Sequence, residues 1–281
     1  MKLIHLTDTH LVAPGRSLYG IDPAARLRAA VRHIVAQHAD AEACVLTGDL
    51  THWGDDAAYA VLRDCLRPLP MPVLPLIGNH DDRARFRAAF PQVPVDAGGF
   101  VQWVHDAPEG RLLLLDTVMR GDEPGRKSAG YFGGGRLDWL RAQLDAARAD
   151  GVAVFLFMHH PPFGVGLRAF DDINLNSQDA LQFAALLRRD DHIRHLFFGH
   201  VHRPISGSWH GIAFSTLPAT AHQSALDFHA DVDWFSHESP AYGVALITPE
   251  QVTVHVCDFL YAGPLLDPAS ERRDAPLPEH G

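Results

Sequence analysis

Cysteine is scarce: Cys44, Cys65 and Cys257 are the only three in 281 residues. Their odd number and spacing exclude a disulfide framework and a thiolate metal site. Cys44 also lies inside an apolar run, so buried free thiols in a reducing compartment are expected. No apolar run approaches the roughly 20 residues of a membrane span. The N-terminus enters a strand pattern at once, without the layout of a secretory signal, and the expected location is the cytoplasm. Positive charge is short as well. The 24 Lys and Arg against 34 Asp and Glu give a formal net charge of −10, which argues against duplex nucleic acid or a membrane surface as partner. A phosphate-cradling G-x-G-x-x-G is missing too, since Gly133-Gly134-Gly135 lacks its spacing. Histidine is what the chain has in excess, 19 residues of the type that transition metals use most.

With 47% hydrophobic and 21% charged residues, the chain has an ordinary globular composition and is long enough to bury a full core. Five short apolar runs each stop at a polar tip. Lys2–Thr7 ends at Asp8-Thr9-His10, Cys44–Thr47 at Gly48-Asp49, and Val73–Ile77 at Gly78-Asn79-His80-Asp81. Val152–Met158 ends at His159-His160-Pro161-Pro162, and His195–Phe198 at Gly199-His200-Val201-His202. Such runs read as buried strands of an α/β sheet, whose ligands collect outside the carboxyl ends. Helices are expected over 22–39, 55–66, 82–90, 137–147 and 179–189. Further strands are expected over 100–105 and 111–116. The short runs Ile212–Ser215, Val244–Ile247 and Val252–Val256 are expected to complete a second, more antiparallel sheet. A catalytic domain over 1–260 and a tail over 261–281 follow, with oligomer contacts expected in the part beyond 204.

One histidine at a strand end means little, but these spacings mean more. In an extended tip, residues two apart point to the same side, so Asp8 with His10 and His200 with His202 can each reach one centre. Carboxylates, imidazoles and one amide suit Zn, Mn, Fe or Co rather than Ca. Seven ligands are too many for one tetrahedral ion. They suit two cations sharing Asp49, the usual device for activating water and clamping a phosphoryl group.

These five blocks, in this order over residues 8 to 202, resemble the calcineurin-like metallophosphoesterase superfamily. The Leu18-Tyr19-Gly20 loop, the doubled His-Pro block and Ser215–Pro218 with His222-Gln223 bring the chain nearest to the bacterial class III cyclic-nucleotide phosphodiesterase and glycerophosphodiesterase branch. The resemblance implies an α/β fold, a four-layer α/β/β/α sandwich of two mixed sheets with flanking helices. It implies two divalent transition metals, one held by Asp8, His10, Asp49 and His202 and the other by Asp49, Asn79, His159 and His200.

By the same matching, His80 stands above the metals as transition-state stabiliser or acid, with Asp81 orienting it, and Tyr19, His160 and His222 are substrate candidates. His160 has a second reading, as a hydrogen-bonded support behind the ligands, because neighbours in an extended tip face opposite ways. His52 stands where many members carry Asp or Asn, and its role is open. The expected activity is hydrolysis of small phosphodiesters, cyclic nucleotides or glycerophosphodiesters, by an oligomer of at least two copies. The alternatives are a phosphomonoesterase of the same superfamily and a binding module that has lost its metals.

Overall fold

Alternation along each strand decides what it buries. In the computed structural model, which describes residues 1–119, 121, 126–133, 135–188 and 190–270, the run Cys44–Thr47 becomes β2 (Ala43–Thr47). Its Ala43 and Val45 meet Phe155 and Phe157 of β6 (Val154–Met158) in a core between two sheets. Cys44 and Leu46 face the other way, under helices. Successive side chains of a strand point to opposite faces, so a strand apolar at every position must be covered twice.

The first sheet has the order β13 (Val252–Asp258), β12 (Ala241–Ile247), β1 (Lys2–Leu6), β2 and β3 (Val73–Leu76). The second has the order β4 (Trp103–Ala107), β5 (Gly110–Leu115), β6, β7 (Ile193–Phe198), β9 (Ile212–Ser215) and β8 (Ser206–Trp209). A ribbon of β10 (Gln223–Ser224) and β11 (Phe235–Ser236) stands apart. Helices α1 (Pro23–Gln37), α2 (Asp56–Leu66) and α3 (Arg83–Ala89) pack on the outer face of the first sheet. On the second sheet lie α4 (Arg136–Asp150) and α6 (Ser177–Leu187), and the short α5 (Arg168–Asp171) sits in the loop after β6. Asp22, Asp55, Asp82 and Asn176 cap α1, α2, α3 and α6 by accepting a first-turn N–H. The result is the expected α/β/β/α sandwich.

One expectation is corrected. The strands beyond residue 204 do not all complete the second sheet: β8 and β9 join it, whereas β12 and β13 extend the first. β1 is apolar on both faces, with Leu3 toward the inter-sheet core and Ile4 toward the helices, so it cannot serve as a solvent-exposed edge. β12 covers that edge antiparallel, Lys2 opposite Leu246 and His5 opposite Gly243. The expected end of α6 at Arg189 and the tail over 271–281 lie outside the described residues.

The halves are also tied by charge. Asp116, at the end of β5, is fully buried and receives two bonds from Arg83 of α3, 2.8 Å from Nε and 2.9 Å from Nη2. Arg136, fully buried at the start of α4, places Nη1 3.6 Å from the same carboxylate and lies over the Phe100 ring. Burial pushes the Asp116 pKa up, but the Arg83 fork and the Arg136 charge outweigh it and hold the group below the usual carboxylate range. A depressed folded pKa stabilises the fold above the ordinary value near ~4, and that stabilisation is lost as pH falls below it. Asp116→Asn is therefore expected to cost about 3–5 kcal/mol at neutral pH by removing the buried negative charge that Arg83 and Arg136 face. Urea unfolding measured at pH 7 and again toward pH 3.5 should show the gap to wild type beginning to narrow, because Asp116 of the unfolded chain takes up a proton before the folded carboxylate does.

Candidate metal centre

The polar tips leave the sheets at the C-terminal ends of β1, β2, β3, β6 and β7, and there the backbone turns sharply. Asp8 (φ 51°), His10 (41°), Asp49 (48°), His200 (72°) and His202 (49°) all adopt the left-handed conformation. The tips are thus kinked, not extended, which corrects the geometric basis expected for their convergence. Left-handed turns on either side of Thr9 and of Val201 aim Asp8 with His10, and His200 with His202, at one place. Each such non-glycine residue costs on the order of 1–3 kcal/mol and persists only where its surroundings enforce it.

Asp8, His10, Asp49 and His202 form one tight, buried group. His10 Nε2 lies 3.0 Å from His202 Nε2 and 3.6 Å from Asp49 Oδ2, and His202 Nε2 lies 3.3 Å from Asp8 Oδ1. On the other side of Asp49, His159 Nε2 is 3.4 Å from Oδ2 and 3.1 Å from Asn79 Oδ1, and the His200 ring centre is 5.1 Å from that of His159. Asp49 Oδ1 accepts the His80 N–H at 2.9 Å, so its Oδ2 is the oxygen left between the two groups.

The outward nitrogens fix the tautomers. His159 Nδ1 donates to Thr47 O at 2.7 Å and His202 Nδ1 to His222 O at 2.9 Å, which turns each Nε2 lone pair into the site. His10 Nδ1 lies 3.1 Å from His52 Nδ1. Burial and the neighbouring His80 lower the His52 pKa to about 4, so its neutral ring can accept that proton. His200 Nε2 is buried without a hydrogen-bond partner. His10 Nε2 and His202 Nε2 face one another beside two carboxylates; burial lowers the pKa of His202, but the Asp8 carboxylate raises it further, so a cation entering there displaces a proton. The donor set fits a pair of borderline-hard divalent ions. Burial lowers the pKa of His159, but the Asp49 carboxylate raises it further, to about 9, so a metal must displace a proton there.

The remaining expected residues divide. His80 stands over the group, its ring 4.8 Å from that of His10, with Nδ1 donating to His52 O at 2.8 Å. Asp81 does not orient it, which corrects its expected catalytic role. The Asp81 carboxylate accepts from Leu50 N, Thr51 N, Thr51 Oγ1, Gly78 N and Tyr59 OH, and so clamps the Asp49 loop to the Asn79 loop. His160 is likewise corrected as a substrate contact. It is buried with both nitrogens engaged, by Thr117 Oγ1 at 2.7 Å and Ser128 O at 3.2 Å, and is the support behind His159 that its alternative reading described.

Tyr19 lies at the rim, its ring 4.8 Å from buried His222 and 4.6 Å from Phe235. His222 sits 4.9 Å from His10 and 4.8 Å from His202, ring to ring, and carries the carbonyl that aims His202. Sequence reasoning missed Trp53, which stands 4.8 Å from His52, ring to ring, and with Tyr19 and Phe235 leaves large aromatic surfaces exposed around the cluster. Their clustering across residues 19, 53 and 235 exists only after folding.

Three comparisons with known proteins bear on this arrangement. A family model described as calcineurin-like phosphoesterase matches residues 1–204. The chain is 43% identical to a probable cyclic nucleotide phosphodiesterase of Rhodopseudomonas palustris, over 94% of this chain and 95% of that one. It is 33% identical to a glycerophosphodiester phosphodiesterase of Enterobacter lignolyticus, over 79% and 78% of the two chains. In fold it is similar to a dimetal phosphatase from Danio rerio, with a TM-score of 0.70 at 16% identity over 92% and 96% of the chains.

Close approach of the loops requires glycine at position 78. A Cβ there would collide with the backbone nitrogen and Oδ1 of Asp49 and stand 2.7 Å from His159 Cε1. Gly78→Ala should cost about 1–3 kcal/mol of stability. It should also displace Asp49, so that metal analysis after dialysis finds fewer bound equivalents than in wild type while the circular dichroism spectrum is retained.

Proposed function

The chain belongs to the calcineurin-like phosphoesterase family, and from that premise we propose that its His/Asp cluster is a dinuclear centre for hydrolysing small phosphodiesters. Asp8, His10, Asp49 and His202 would hold one cation and Asp49, Asn79, His159 and His200 the other. The observation that carries this reading is the convergence of imidazole nitrogens and two carboxylates on one buried place. When bound, two such cations lower the pKa of water and neutralise phosphate oxygens. Donor chemistry favours Mn, Fe, Zn or Co.

The residues of this chain supply the rest. His80, held by its Nδ1–H on the His52 carbonyl, keeps Nε2 for the substrate. As the bond from phosphorus to the leaving oxygen breaks, His80 Nε2 delivers a proton to that alkoxide, or stabilises its charge. His52 stacks on the His80 ring at 4.7 Å and engages His10 Nδ1 with its own, so it joins acid and ligand in one rigid unit.

The substrate is a cyclic nucleotide in the first instance, with glycerophosphodiesters as the second reading, because both activities are named among the relatives. Tyr19, Trp53 and Phe235 favour the former, since exposed aromatic faces recognise a planar base by stacking. The charge of −10 disfavours duplex nucleic acid. No helix among the described residues is long and apolar enough to cross a membrane, and a cytoplasmic enzyme is the reading we adopt. Exposed Val256, Leu260, Tyr261, Leu265 and Leu266 at the end of the first sheet favour a homo-oligomer built through that edge.

Apo protein reconstituted with Mn, Zn, Co or Fe(II) should cleave bis(p-nitrophenyl) phosphate in preference to p-nitrophenyl phosphate. Asp49→Ala should lose more than the roughly 100-fold expected of an outer-shell partner. The reverse preference would make the enzyme a phosphomonoesterase. Within the diesterase, Trp53→Ala or Phe235→Ala should raise KM for cAMP by about 1–3 kcal/mol in binding and leave that for glycerophosphoethanolamine unchanged. An equal effect on both substrates would remove the preference for a base.

A further inference from the structure

Behind Asp8 lies a row of polar groups that neither binds the cluster nor serves the fold in an ordinary way. His5, Thr7 and Thr47 are all buried, at 1%, 1% and 0% exposure, in an otherwise apolar inter-sheet core. Thr7 Oγ1 donates to Asp8 Oδ2 at 2.6 Å, and Thr47 Oγ1 donates to Thr7 Oγ1 at 2.8 Å. His5 Nε2 is 2.8 Å from Thr47 Oγ1. A hydroxyl has one proton, and that of Thr47 is spent on Thr7. His5 must therefore donate from Nε2, and the whole row is directed: His5 Nε2–H to Thr47, Thr47 to Thr7, Thr7 to the carboxylate.

We propose that His5, Thr47 and Thr7 form a directional hydrogen-bond relay that positions Asp8 for its cation, His5 being the fixed origin. The inference rests on the reading of Asp8 as a metal ligand. Three observations carry it.

First, the relay decides which carboxylate oxygen is used. The His200 N–H is shared, 3.1 Å from Oδ2 and 3.3 Å from Oδ1, so it is the Thr7 hydroxyl that sets the oxygens apart: it occupies Oδ2 and turns Oδ1 toward His202 Nε2 at 3.3 Å and His10 Nε2 at 4.0 Å. Second, its origin is rigid and neutral. The His5 ring meets the edges of Phe157 and Phe197, which are themselves stacked 4.5 Å apart, and burial followed by the proximity of His195 lowers its pKa to about 3. Its Nδ1 is buried with no partner, and in the Nε2–H tautomer that nitrogen carries a lone pair and not an unpaired proton. Third, the fold leaves room for nothing else. A Cβ on Gly199 would strike Thr7 Oγ1 and stand 2.7 Å from Thr47 O, so the His200 tip closes directly over the relay.

Thr47 has a second duty. Its carbonyl receives His159 Nδ1 at 2.7 Å while its hydroxyl works for Asp8, so one residue of β2 aims a ligand in each of the two groups. Bonds in such a row polarise one another and end on a charge, which makes the final Thr7–Asp8 contact its strongest member.

The test is titration of apo protein with Co(II), read by d–d absorption and by competition with a chromophoric chelator. Wild type should bind two equivalents. Thr7→Val should weaken one of them by about 10–100-fold and change its spectrum, while Thr7→Ser, which keeps the hydroxyl, stays close to wild type. His5→Leu should weaken the same equivalent, and adding it to Thr7→Val should cause no further loss, because His5 acts only through Thr7. Should His5→Leu not fold, Thr47→Val cuts the relay one bond further along and is read in the same way. Folded variants that bind both equivalents as wild type does overturn the relay. Losses that simply add in the double variant do so as well, since they mark two independent structural defects. Asp8→Asn is the separate control: if it binds both equivalents normally, the ligand assignment fails and not the relay.

Discussion

Metal-binding atoms crowded into one place are the constraint on which this structure depends. Around Asp49 Oδ2 the chain assembles buried imidazole nitrogens, a second buried carboxylate and the amide oxygen of half-buried Asn79. Each inward-facing nitrogen is fixed by what its ring does on the far side. Thr47 O and His222 O take protons from His159 and His202, and His52 lies against His10. The assembly is therefore held from behind. The geometry of the site is set from behind by these contacts, and the carboxylates that raise His159 and His202 hold protons where a cation would go.

Holding acceptors together requires a scaffold that tolerates strain. Five of the proposed ligands have left-handed backbone, and Gly48, Gly78 and Gly199 let neighbouring loops approach to distances that any side chain would prevent. Asp81 gathers donors from two loop segments and the Tyr59 hydroxyl, which locks the second and third tips together. On the opposite side, Arg83 and Arg136 grip Asp116, and Thr117 next to it holds His160 behind His159. The apolar core between the sheets is what makes such supports effective. Low local polarity strengthens each satisfied bond and raises the cost of an unsatisfied one.

Above this fixed floor, the rim has a different character. Tyr19, Trp53 and Phe235 are exposed and come from separate segments, and His80 and His222 form the boundary between rim and floor. Chemistry and selectivity are thus divided by depth: buried charge and imidazole below, aromatic surface above. That division lets the rim vary without disturbing the ligands, as expected of a family whose members act on different phosphoesters.

Much of this was legible in the chain itself. Apolar runs stopping at Asp, Asn and His announce strand tips, and the unbroken apolar character of Cys44–Leu46 or Val154–Met158 announces burial on two faces, because the period of a strand is local and needs no tertiary context. The residue types at the tips likewise fix the class of metal, since ligand softness belongs to the side chain. What the tertiary structure decided is everything that depends on pairing between distant segments. β12 and β13 went to the first sheet because β1 needed its open edge covered, a demand that appears only once β2 has taken its other side. Asp81 became a clamp and His160 a support because their partners, Leu50, Thr51 and Tyr59 for one, Thr117 and Ser128 for the other, lie elsewhere in the sequence. The relay from His5 to Asp8 crosses strands twice, and a sequence carries no record of which hydroxyl will face which. Residue chemistry is local and can be read in order, whereas the direction of a buried hydrogen bond is a property of the packed whole.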